Sequence, residues 1–140
     1  MKNADRAIIL ERAREYLGTP FVHEGRCKGV GVDCAGLAIC VARELGLSSF
    51  DIKGYSRQPN PIEFRRHLRE QMIEKAFAEA APGDVLSFAF VKEQHIGIVS
   101  ALEPFTLIHA WESAGQVVEH VVDRIWRSRV RGCFAFPGVA

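Results

Sequence analysis

Near residue 84 the spacing of apolar side chains switches from a helical to a strand-like period, a change that neither an all-helical nor an all-β domain accommodates. Before that point Ile9, Ala13, Tyr16 and Leu17 fall at i, i+4, i+7 and i+8 of a helix over residues 4–17, stopped by Gly18 and Pro20. Cys34, Leu37, Ala38, Val41 and Leu45 line one face of a second helix, with Gly46 suited to cap its end. A third helix is announced by Asn60 as N-cap, Pro61 at the first helical position and Glu63 three residues past the cap. Phe64, Leu68 and Met72 continue its apolar side, and "AAPGD" closes the helical region with a turn. Five short runs follow, at 85–91, 95–102, 106–111, 116–122 and 130–137, rich in β-branched and aromatic residues. Three helices and then five strands predict an α+β domain, its helices packed on one face of a five- to six-stranded antiparallel sheet.

With 140 residues, 48% of them hydrophobic, the chain is expected to form a single domain over residues 1–140 that buries a core without staples. The 18 basic and 17 acidic side chains leave no excess with which to hold a nucleic acid. No apolar run approaches the roughly 20 residues that span a bilayer, so no membrane insertion is expected. The opening "MKNADRAIILERAREYLG" has too short an apolar run for a secretion signal, and synthesis in the cytoplasm is the corresponding expectation. Cysteines at 27, 34, 40 and 133 form neither a disulfide framework nor a C-x-x-C pair. Cys40 and Cys133 read as small buried hydrophobes, and Cys27 as an exposed loop residue.

Cys34 is different. It stands in "GVGVDCAGLAICVARELG", residues 29–46, where a glycine-rich loop meets the second helix. At a helix start the peptide dipoles and unpaired amides favour a thiolate, the form that attacks carbonyls. Asp33 serves as N-cap, and the glycines allow close backbone approach to a substrate. A nucleophile also needs a base and a group to orient it. His67, in "FRRHLRE", reads as solvated, His120 as an ordinary half-exposed strand residue, and His23 as a loop residue able to line a cleft. His95 and His109 sit in consecutive strands, and a hairpin through "SALEPF" would bring their imidazoles together. The competing readings are core histidines bonded to backbone, or a zinc site built from Cys34, His95 and His109.

"DCAGL" at 33–37, "PGDVLSF" at 82–88, "HIGIV" at 95–99 and "LIHAW" at 107–111, in that order, resemble the NlpC family of papain-like cell-wall cysteine peptidases. "GTPFVHEGR" at 18–26 is similar to that family's opening segment, and the likeness runs from about residue 5 to "FAFPG". Short peptidases of phage tails and gene transfer agents are the nearest in kind. The resemblance implies a papain-like fold and a triad of Cys34 as nucleophile, His95 as base and His109 as the polar group that orients it. It implies Asp33, Phe21 and His23 beside the substrate, a peptidoglycan stem peptide cut between D-γ-glutamyl and a diamino acid, and neither metal nor cofactor. Phage-like tail proteins become candidate partners, with incorporation in a tail and action on the cell wall. A non-catalytic tail protein of the same fold is the alternative. Phe21 departs from the family, in which a tyrosine is frequent at that position, and the missing hydroxyl falls to water or His23.

Overall fold

The computed structural model describes residues 5–139 and gives four helices, a two-stranded ribbon and a six-stranded antiparallel sheet. Helix α1 runs Arg6–Arg14, its N-cap Asp5 accepting from the Ala7 amide, so it ends three residues short of the expected 17; residue 4 lies outside the described residues. The glycine-rich loop folds back on itself as β1 (Arg26–Cys27) against β2 (Gly31–Val32). It delivers the chain to α2 (Cys34–Glu44) and, after a loop, to α3 (Pro61–Gln71), which begins with the anticipated Asn60 cap and Pro61.

The sheet has the order β3–β8–β4–β5–β6–β7. Four of the five expected runs supply β4 (Val85–Ala89), β5 (Glu93–Leu102), β6 (Phe105–Trp111) and β7 (Gln116–Val121). The fifth supplies β8 (Val130–Ala135). Its sixth member, β3 (Ile73–Lys75), pairs with β8 from Ile73 against Ala135 to Lys75 against Cys133. Three residues at an edge, with two of them exposed, carry too little pattern to be seen in the sequence. The same is true of α4 (Arg124–Ser128), a single turn set by the Asp123 cap, whose carboxylate accepts from the Ile125 and Trp126 amides.

Strand alternation divides the core into two clusters. Val85, Ile96, Ile98, Ile108, Ala110 and Phe134 face α1, α2 and α3, meeting Ile9, Ala13, Leu37, Val41 and Leu68. Leu86, Phe88, Val99, Leu107 and Cys133 point the other way and pack with Phe105, Val122 and Trp126. The free edge of β7 is met by the segment that stops α1. Gly18 N–H donates to the Val117 carbonyl, Val117 N–H to Thr19, and Phe21 N–H to Gly115, at 2.8–3.0 Å. No helix among the described residues is long and apolar enough to cross a membrane.

Candidate active site

Asp33 organises the start of α2. Its buried carboxylate accepts from the Gly36 amide at 2.7 Å, the Glu24 amide at 2.8 Å, the Arg26 guanidinium at 3.2 Å and the Tyr55 hydroxyl. The cap thus does more than end a helix: it ties the glycine-rich loop and the 48–60 loop to the first turn. Gly36 makes this possible, because a Cβ there would lie 2.3 Å from the Gly25 carbonyl oxygen. His23 also turns to this network, its Nε2 bonded to the Tyr55 carbonyl at 2.9 Å. Phe21 packs at the rim of the helical cluster and lines the cleft. Tyr55, from a stretch whose sequence reads only as a connecting loop, brings a hydroxyl to Asp33.

Cys34 Sγ rests against the beginning of β5. It lies 4.0 Å from the Gln94 carbonyl, and the amides of Ile96, Ala35 and Cys34 itself face the sulfur. Burial, reinforced by the Asp33 carboxylate, nevertheless pushes the thiol up to about 12, against the pull of those amides. Desolvation thus opposes the pull that the helix start exerts on the thiol. The sulfur touches β5 on both sides of His95 without hydrogen bonding to its imidazole.

His95 and His109 do meet, through the β5–β6 hairpin, in which Ile98 pairs with Ile108 and Val99 with Leu107. His95 Nε2 lies 2.7 Å from His109 Nδ1. Gly97 leaves the space for this, since a Cβ there would come within 3.2 Å of His109 Cβ. Burial holds both rings neutral, pushing His95 down to about 3 and His109 to about 2, the latter helped by its two histidine neighbours. Rings of Phe88, Trp111 and Trp126 surround the pair, with centroids 5.0–6.2 Å from His95. A third histidine joins them: His109 Nε2 lies 2.8 Å from His120 Nε2, and His120 Nδ1 lies 3.2 Å from the Val121 carbonyl. His120 is thus no ordinary strand residue. The signal for it was the register, because His120 pairs with Leu107, which shares a face with His109.

Cys34 and Asp33 open onto a cavity of about 370 Å³ between α2, α3 and the 48–60 loop. Its walls are mostly apolar, including Ala38, Phe50, Phe64, Leu68 and Phe136. His67 lines it too, half-buried beside Phe50 and with a buried, unpartnered Nδ1, rather than standing in solvent as its charged neighbours suggest. Among the described residues no three His, Cys, Asp or Glu side chains converge as metal ligands. Cys27 is exposed, and Cys40 and Cys133 are buried.

The architecture has known counterparts. The NlpC/p60 domain of the peptidoglycan hydrolase SagA superposes with a TM-score of 0.66 at 22% identity, covering 94% of this chain and 99% of that one. An NlpC/P60 family protein from Bacillus cereus gives 0.71 at 16% identity, covering 96% of this chain. This chain has the NlpC/p60 fold. It spans only 41% of the Bacillus cereus protein, and the same share of an NLP/P60 family lipoprotein-like protein from Staphylococcus aureus. RipD of Mycobacterium tuberculosis, described as a non-catalytic NlpC/p60 domain protein adapted to peptidoglycan binding, superposes at 0.59 with 13% identity, covering 93% of this chain and 95% of its own. No family profile and no curated protein matches the sequence.

Proposed function

We propose that this protein is a cysteine peptidase that hydrolyses amide bonds in peptidoglycan stem peptides, between D-γ-glutamyl and a diamino acid. The observation that carries the reading is Cys34 at the start of α2, its sulfur set against the β5 segment that presents the neutral His95–His109 pair. The NlpC/p60 fold and the peptidoglycan hydrolase with which it is shared support the substrate class.

Because the thiol is held high and His95 low, the resting pair is uncharged. Attack is therefore general-base assisted: as Sγ adds to the carbonyl carbon, its proton passes to His95 Nδ1. The contact between sulfur and imidazole closes when substrate enters, as catalytic bonds often do. Oxyanion charge is met by the first-turn amide of Cys34. The imidazolium then protonates the leaving amine, and water, deprotonated by the same ring, hydrolyses the acyl-enzyme. Asp33, Phe21 and His23 flank the substrate at the mouth of the cavity.

Delivery to the wall as part of a phage-like tail, after synthesis in the cytoplasm, belongs to the same proposal. The resemblance in kind to the short peptidases of phage tails and gene transfer agents supports it.

The test is digestion of purified sacculi followed by mass spectrometry of the released fragments. Wild-type protein should release stem-peptide pieces that begin at the diamino acid, leaving stubs that end in D-γ-glutamate on the glycan, and Cys34→Ala should release none. Binding to sacculi without release by either protein would replace this reading with a RipD-like binding role. Density fractionation of particles tests delivery: the chain should co-sediment with tails, and its absence from intact tails would refute that part.

A further inference from the structure

We propose that His120 is a positioning residue that sets the tautomer of the His95–His109 pair, leaving His95 Nδ1 as the bare, proton-accepting nitrogen. The inference deepens the peptidase reading and rests on it for its functional meaning. The geometry stands apart from that reading.

A backbone carbonyl can only accept, so the 3.2 Å contact between His120 Nδ1 and the Val121 oxygen requires a proton on Nδ1. Neutral His120 then carries a lone pair on Nε2, and His109 must donate to it from Nε2–H across 2.8 Å. That leaves His109 Nδ1 as an acceptor. His95 in turn donates to it from Nε2–H across 2.7 Å. The one nitrogen remaining, His95 Nδ1, has no partner among the described residues and is free to receive the thiol proton. Reversing either imidazole–imidazole bond reverses the other, breaks the bond to the Val121 carbonyl, and would place a hydrogen on His95 Nδ1.

The pair alone does not decide between the two directions, since each imidazole can donate or accept. His109 is fully buried and its Nε2 has no other partner, so without His120 either orientation leaves that nitrogen unpaired. The selection comes from one carbonyl on β7, relayed through two rings.

Nitrogen-15 NMR of the full chain, at a pH where all three rings are neutral, reads each tautomer directly, because protonated and bare ring nitrogens resonate far apart. In the wild type, His95 and His109 should each show a protonated Nε2 and bare Nδ1, and His120 the opposite. A protonated His95 Nδ1 in the wild type overturns the proposal without any variant. His120→Phe should give His95 a mixture of both tautomers and lower kcat about tenfold at unchanged KM, part of the ~10²–10⁴ that a general base supplies. His120→Glu, which offers an acceptor in the same place, should restore the single wild-type tautomer. A single unchanged His95 tautomer in His120→Phe refutes the assignment. If the wild type fails to cut sacculi while the tautomers behave as described, the peptidase reading falls and the relay stands.

Discussion

Gly36→Ala separates helix propensity from packing at the point where α2 begins. Propensity alone makes the change favourable by about 1 kcal/mol, as for any glycine replaced by alanine inside a helix. The structure predicts the opposite sign. The new methyl carbon would stand 2.3 Å from the Gly25 carbonyl oxygen, whereas ordinary contact begins near 3.4 Å, so backbone must retreat by about 1 Å. The obstacle is not a side chain that can swing away. The retreat strains the loop that donates the Glu24 amide to Asp33 and receives the Arg26 guanidinium on Gly25. Overpacking of this kind costs about 1–3 kcal/mol, and each loosened hydrogen bond about 1 kcal/mol more. Set against the propensity gain, a net loss of about 2 kcal/mol is expected. Urea unfolding followed by the fluorescence of Trp111 and Trp126 measures it. With a slope of about 2 kcal/mol per molar, the midpoint should fall by about 1 M at unchanged slope. A midpoint equal to or above that of the wild type would refute the steric argument.

Iodoacetamide at neutral pH should modify exposed Cys27 well before Cys34, whose thiol is pushed up to about 12; peptide mapping showing Cys34 first would refute this. Acid should destabilise the fold. His95 and His109 are pushed down to about 3 and about 2, so from pH 6.5 downward the unfolded chain binds protons that the folded one does not. The contribution is fully present above pH 6.5 and is lost progressively towards pH 3; equal urea midpoints at pH 7.5 and 4.5 would contradict it. Asp33→Ala removes an acceptor used by four donors and should cost about 3 kcal/mol of stability, measured by the same unfolding.

What the sequence showed and what it hid have physical reasons. Asn60–Pro61 and Asp33–Cys34 were legible because capping is local chemistry, written in adjacent residues. The hairpin that joins His95 to His109 was legible because period-2 alternation and a short connection fix its register. β3 and α4 were not, being three and five residues long with no apolar period. Tyr55 escaped because a loop's path across a helix start depends on tertiary contacts that no local pattern records. At Cys34, position gave the dipole, and only the packed structure gave the desolvation that opposes it.

The segment Gly18–Phe21 that terminates α1 carries a meaning beyond stopping a helix. An uncovered edge strand is a template on which another chain can add its own strand. Here the backbone of 18–21 occupies the ladder positions of β7 next to Gly115 and Val117, and Pro20 bridges Gln116. The stretch that carries Phe21 to the cleft is therefore also a guard against edge-to-edge self-assembly. Damage to it would announce itself as aggregation, together with a displaced Phe21 at the cleft.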